Sequence, residues 1–241
     1  MALCVYCSRD CDEYHQRHLE TFMEQELLQQ PSLNLMDTRL RHRHINTLFT
    51  WQVEVVYGCY SSIEAFDILS LTMNIQLRYL SRFRVPIDKL QLIGYVAMFI
   101  ASKIIAVKTL YMNYKKCLSA TTYTMDEIKT TEITMIQELK YFTCPSATEF
   151  ISEISNVTGD EYEYILKIIL LYLCHFPQEA PVLPSLQALA GYYTYSLINE
   201  EVKFEPRGLL GYNMKAIREV SKDMLHIYNN ATESETKLLK L

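Results

Sequence analysis

Five potential metal ligands crowd the first eighteen residues: Cys4, Cys7, Cys11, His15 and His18. The two-residue gap between Cys4 and Cys7 is one that zinc sites use, since it lets two thiolates reach one tetrahedral ion. The group is compact, however, and no second ligand pair lies at finger-like distance. No metal site is therefore expected, and the segment reads as a mobile end leading into a helix. Cys59, Cys117, Cys144 and Cys174 lie in apolar helical patterns and read as small core residues. An odd total of seven cysteines, with no secretory start, favours free thiols over a disulfide framework. No Cys–His pair stands in a nucleophile context and no glycine-rich phosphate loop occurs, so neither enzyme chemistry nor a cofactor is expected.

A second kind of chemistry, ion pairing at a surface, is carried by Lys103 and Glu132. From Leu90 to Ser102 no charge occurs and apolar side chains occupy every helical face. A helix apolar all round is buried on all sides, and Lys103 is the first charge to emerge from it. Gly94, Ala97 and Ala101 form a stripe of small residues along this rod that lets neighbours approach closely. Farther on, Met125, Ile128, Met135, Ile136, Leu139 and Phe142 share one helical face, and Glu132 falls near its centre. An acid there must be paired, protonated or at an opening, because an unpaired buried charge is very costly. Two readings stay open: an intramolecular buried ion pair, or two charges that emerge together where another protein meets them. Trp51, the only tryptophan, lies at the edge of a polar side marked by Thr47, Thr50 and Glu54, with Leu48 beside it. It is either a core anchor or the hot spot of a peptide-binding groove.

The elements that must position these residues are helices. Six glycines and seven prolines are too few for an all-β chain, which needs a turn every 8–12 residues. Helical periodicity predicts segments near 11–30, 45–60, 62–83, 87–107, 109–119 and 124–142. It predicts further ones near 146–156, 161–176, 185–199 and 213–229, with a short piece around 207–211. Ser62 precedes the third helix, Thr124 with Glu127 forms a capping box, and Pro86 and Pro184 stand at helix openings. The helices fall into two sets separated by Cys144-Pro145-Ser146. Each set has a proline-opened helix with a Leu-Gln and then a Gly-Tyr pair: Leu90-Gln91 and Gly94-Tyr95, then Leu186-Gln187 and Gly191-Tyr192. This hints at duplication.

Class exclusions follow from charge and hydropathy. A net charge of −5 argues against a nucleic-acid footprint. No uncharged apolar stretch reaches the roughly 18–20 residues a spanning helix needs, and no signal peptide is expected, since no basic start leads into an apolar run. A soluble, intracellular protein without membrane or nucleic-acid partners is expected.

Three runs, RHRHINTLFTWQVEV (41–55), LQLIGYVAMFIASK (90–103) and EITMIQELKYF (132–142), together resemble the N-terminal cyclin box. They are most similar to D-type cyclins, and the short C-terminal end and loosened motifs resemble the cyclins of gammaherpesviruses. The resemblance implies an all-α fold of two tandem five-helix cyclin-box repeats preceded by an N-terminal helix. It divides the chain into an N-terminal segment and helix (1–40), an N-terminal cyclin box (41–145), a C-terminal cyclin-like repeat (146–229) and a polar tail (230–241). It implies a regulatory subunit with no catalytic activity that binds and activates a host cyclin-dependent kinase as a heterodimer. Packing on the kinase αC helix and activation loop would promote cell-cycle progression at G1/S, in the nucleus or cytoplasm of the host cell. Lys103 and Glu132 then become kinase contacts, with Phe99, Ile100 and Tyr141 as neighbours.

Departures from the family pattern carry expectations of their own. Ile104 and Ile105 stand where acidic residues are common, an apolar segment that could enlarge the kinase interface. The family's patch for Arg-x-Leu substrates and inhibitors maps to His44, Thr47, Leu48, Trp51, Glu54, Leu90 and Gln91. His44 and Thr47 are less apolar than usual there, so a weakened or altered groove is expected. His44 and Ile45 replace a Met-Arg pair whose arginine helps brace the box. Leu3-Cys4-Val5-Tyr6-Cys7 does not satisfy the Leu-x-Cys-x-Glu motif of D-type cyclins. The rival reading is a cyclin-fold transcription factor or adaptor with no kinase activation.

Overall fold

The computed structural model describes residues 11–28, 39–106, 123–140, 145–175 and 182–232. Among these residues the chain is helical, with no strand. A helix α1 (Cys11–Leu28) precedes a first set formed by α2 (His42–Tyr57), α3 (Ser62–Leu80), α4 (Leu90–Ile105) and α5 (Met125–Leu139). The second set is α6 (Ala147–Ile154), α7 (Gly159–Cys174), α8 (Pro184–Ile198) and α9 (Met214–Asn229). The helix expected at 109–119 lies outside the described residues, and the second set shows four helices among the described residues.

The apolar rod is the centre of the first set. Leu90 and every residue from Leu92 to Ser102 are buried, as a helix without a polar face requires. Close packing sits at Gly94, where a side-chain carbon would meet Leu48 Cδ1 at 2.7 Å and Gln52 Nε2 at 2.8 Å. Gln52 is itself fully buried and donates to the Gly94 carbonyl and to Gln76 Oε1, each at 2.9 Å. Gly191 does the same work in α8, but against α7, where a Cβ would lie 2.6 Å from Ile169 Cγ1.

Local sequence sets most boundaries. Thr124 and Glu127 cap each other's backbone N–H as expected, which starts α5. A second box, Ser146 with Glu149, starts α6. Pro184 occupies the first turn of α8. Ser62 is the first residue of α3, with Ser61 before it. The 87–107 element is shorter than expected: residues 87–89 form a separate 3₁₀ turn after Pro86, and α4 begins at Leu90. The short piece around 207–211 is a turn. Leu210 (φ 48°) and Gly211 (φ 79°) both enter the left-handed region, which no right-handed helix can continue through. Ile136, expected on the core face of α5, is exposed. Only Ile128, Met135 and Leu139 of that helix are buried, so the buried stripe is narrower than the apolar pattern.

Several polar contacts fasten the pieces. Arg78 of α3, itself buried, donates to the Leu139 carbonyl at 3.1 Å, placing a cation where the α5 dipole is negative. Asp67 of α3 accepts from Ser146 Oγ (2.7 Å) and Thr148 Oγ1 (2.6 Å) at the start of α6. Burial raises the Asp67 carboxyl pKa despite those hydrogen bonds. Glu26 of α1 is buried and accepts from Ser185 N (3.0 Å) and Ser185 Oγ (2.5 Å). It thereby supplies hydrogen-bond acceptors to the start of α8, whose own N-cap Leu183 has no side-chain acceptor. Ile45 is fully buried, so the head of α2 sends an apolar side chain into the core.

Candidate protein-interaction sites

The last turn of α4 and the middle of α5 bring Lys103 Nζ within 2.5 Å of Glu132 Oε1. Glu132 follows Ile128 by four residues and precedes Met135 by three, so it rises from the buried stripe and keeps 12% of its side-chain surface; Lys103 keeps 41%. The two sequence readings thus meet in one object. The pair is intramolecular, and its cationic half opens to solvent. The ammonium also lies 4.0 Å from the Phe99 ring centroid, close enough for a cation–π contact. An ammonium has three donors, so the one given to Glu132 leaves donors for a partner's carbonyls.

Apolar surface borders this pair. Ile104 is exposed on α4, and Ile133 and Ile136 are exposed on α5. Ile105 is half-buried and packs on the core. Phe99 and Ile100, expected as partner contacts, are buried, so they present little surface and instead support the residues above them. Tyr141 lies outside the described residues. Ile133 was not singled out in the sequence, and Ile136 was assigned to the core face of its helix. Their signal was a pair of isoleucines three apart beside Glu132, hidden because Ile136 fits the core face by angle.

A second feature is a groove of about 290 Å³ between α2 and the start of α4. His44, Thr47, Leu48 and Trp51 form one wall; Leu90 and Gln91 form the other, joined by Ile87. Six of the seven residues expected at a docking patch are therefore brought together. Glu54 is exposed three residues past Trp51, outside the lining. Ile87 was not foreseen; its signal is an isoleucine directly after Pro86, held out by the 3₁₀ turn and left exposed. That turn is tied to α5: Lys89 Nζ lies 3.1 Å from Glu127 Oε1, and Tyr123 OH donates to the Asp88 carbonyl at 2.8 Å. Trp51 is half-buried, its apolar body against the core and one edge lining the groove.

At the head of α2, Arg41 N–H donates to His44 Nδ1 at 3.0 Å. Thr47 Oγ1 donates to the Arg43 carbonyl at 2.9 Å. Among the described residues no group of three or more His, Cys, Asp and Glu could hold a metal ion. Cys4, Cys7 and the side chains of Cys11 and His15 lie outside that description. Neither Cys59 nor Cys174 is in a disulfide. No helix among the described residues is long and apolar enough to cross a membrane.

Comparison with known proteins places this geometry. Among curated sequences the chain is similar to G2/mitotic-specific cyclin-4 of Candida albicans, 30% identical over 146 residues, covering 59% of this chain and 29% of that protein. It is also similar to Cyclin-B1-3 of Arabidopsis thaliana, 28% identical over 206 residues, covering 79% of this chain and 47% of the relative. The chain thus spans less than half the length of these relatives. In fold it is similar to the crystal structure of a viral cyclin from herpesvirus saimiri, with a TM-score of 0.73 at 21% identity, over 89% of this chain and 97% of that one. Residues 15–144 match the family model of the cyclin N-terminal domain. Since that match spans more than half of the sequence and contains both the ion pair and the groove, the chain belongs to the cyclin family.

Proposed function

We propose that this protein is a regulatory subunit that binds and activates a host cyclin-dependent kinase, and that it is a D-type-like cyclin of the gammaherpesvirus kind acting at G1/S in the nucleus or cytoplasm. The observation that carries the proposal is the half-exposed Lys103–Glu132 pair bordered by Ile104, Ile133 and Ile136. A charge pair set in apolar surface suits a partner helix that offers carbonyl acceptors and aliphatic side chains together. Docked there, the kinase αC helix would bring its own glutamate to the ATP-binding lysine, and the activation loop would leave the substrate cleft. Activation then comes from differential binding to the active kinase conformation. The groove at Trp51 would dock substrates or inhibitors of the Arg-x-Leu type, with Glu54 facing the arginine and Leu48, Trp51 and Leu90 receiving the leucine. His44 and Thr47 make this docking weaker than an all-apolar wall would.

The test mixes the purified protein with unphosphorylated cyclin-dependent kinases and follows histone phosphorylation. Activation lost in the Lys103→Ala, Glu132→Ala double variant, with helical content intact, supports the proposal. Neither binding nor activation across the kinase panel refutes it and leaves an adaptor or transcription-factor role.

A further inference from the structure

The groove differs in polarity from end to end, and this bears on what it accepts. Nδ1 of His44 takes the Arg41 N–H. A neutral imidazole carries one donor and one acceptor, so the proton resides on Nε2, across the ring from the capped backbone. His44, a residue of the groove wall, therefore keeps one hydrogen-bond donor not used by the helix cap. Thr47 spends its hydroxyl proton on the Arg43 carbonyl, so it offers only lone pairs. The same bond shows that Arg43 lies one turn before Thr47 on the same helical face. Continuing by helical spacing, Arg43, Thr47, Trp51 and Glu54 form a single stripe along α2. Arg43 and Glu54 are exposed, and neither has an ion-pair partner among the described residues. The stripe thus begins with an arginine, beside the His44 donor, and ends with a carboxylate, with two groove residues, Thr47 and Trp51, between them.

Eleven residues of helix separate the charged ends, about 16 Å at 1.5 Å per residue. An extended peptide covers that distance with about five residues. We infer that the groove recognises a dipolar extended segment, in which an apolar anchor is flanked by a basic residue toward Glu54 and an acidic residue toward Arg43 and His44. The inference rests on the docking reading above and adds the acidic position to it. Charge complementarity commits the occupant to a peptide of this pattern rather than a purely apolar or basic one.

The experiment titrates labelled peptides into the whole protein by fluorescence anisotropy at low salt. The core sequences are Arg-Ala-Leu-Ala-Asp and its reverse, each also made with Ala or Lys replacing Asp and with Ala replacing Leu. In one of the two orders the Asp peptide should bind at least fivefold tighter than the Ala peptide, and the Lys peptide weaker than both. Arg43→Glu, at an exposed position and checked by circular dichroism, should remove that preference or invert it toward Lys. Equal binding of the Asp, Ala and Lys peptides, with loss only on replacing Leu, overturns the inference and keeps the docking reading. A preference for Asp that survives unchanged in Arg43→Glu and in His44→Gln also overturns it, because the acid is then read elsewhere. No binding by any peptide refutes the docking reading and the inference together.

Discussion

Replacing Gly94 or Gly191 with alanine adds the same single methyl group to a central helix of each set, yet the two changes should differ in cost. At Gly94 the new Cβ meets the two terminal methyls of Leu48 at 2.7 and 2.8 Å and Gln52 Nε2 at 2.8 Å. Leu48 ends in flexible methyls and lines an open groove, so it can swing outward. Gln52 can move only by weakening its bonds to Gln76 and Gly94, about 1 kcal/mol. Overpacking of this kind costs roughly 1–3 kcal/mol, and alanine returns about 1 kcal/mol of helix propensity. The net for Gly94→Ala is about 1 kcal/mol. At Gly191 the obstacle is Ile169 Cγ1 at 2.6 Å, with Ile165 Cγ2 at 3.3 Å. Both isoleucines are fully buried, and a β-branched side chain cannot withdraw its γ carbon without leaving its preferred χ1. Gly191→Ala should therefore cost about 2–3 kcal/mol. For a chain of this size the gap of about 1–2 kcal/mol corresponds to roughly 2–8 °C in Tm, readable by thermal and urea unfolding followed by circular dichroism. The double variant Gly94→Ala, Leu48→Ala should be more stable than the sum of its parts predicts, because truncating Leu48 removes the clash. Equal costs at the two glycines, or strict additivity of Gly94→Ala with Leu48→Ala, would refute this account of how the central helices are seated.

Three further outcomes are expected. Lys103→Ala should destabilise more than Glu132→Ala: the first leaves a mostly buried carboxylate unpaired, about 1–2 kcal/mol, the second only a half-exposed ammonium, under about 1 kcal/mol; urea midpoints of the two single variants decide it. Burial raises the Glu26 carboxyl above its ordinary value, against the lowering effect of its bonds to Ser185. The folded state thus holds that proton to higher pH than the unfolded chain, and the group's contribution is fully present below the unfolded value and lost as pH rises through the folded one. Glu26→Gln, which cannot ionise, should gain stability relative to the parent as pH rises through that window, and parallel pH profiles of the two proteins would contradict this. Arg78→Met should cost about 1–3 kcal/mol by withdrawing a charge-assisted donor from the last carbonyl of α5, and because α5 carries Glu132 it should weaken the kinase binding proposed above, measured by pull-down, even at temperatures where circular dichroism shows a full fold.

Much of the fold was legible because helix boundaries are decided by neighbours in the chain. Thr124 with Glu127, Pro184, and the uncharged run from Leu90 to Ser102 each act within a turn or two, and each appears where periodicity placed it. The groove at Trp51 was legible as residue identities through a family resemblance, whereas its shape was not. Ile87 joins it only because a 3₁₀ turn interrupts what periodicity read as one helix. Failures of the sequence reading have two causes. Ile136 fits the apolar face of α5 by angle, but whether that angle meets a neighbour depends on how far α3 and α4 extend over the helix. The turn at Leu210 and Gly211 depends on backbone dihedrals that hydrophobic pattern does not encode.

By itself, then, the amino-acid sequence determined most of the helical segments among the described residues, that α4 must be enclosed, and that Lys103 and Glu132 both needed an explanation. It left open whether those two charges meet, since a contact across 29 residues is made by the packing angle of α4 on α5 and not by any local preference. Tertiary structure decided that they pair at 2.5 Å with the lysine turned to solvent. It likewise decided that Glu26, an ordinary acid on an N-terminal helix, is sealed against the start of α8. In both cases the energy of the charge depends on how much water the assembled neighbours exclude, a quantity that does not exist until the chain has folded.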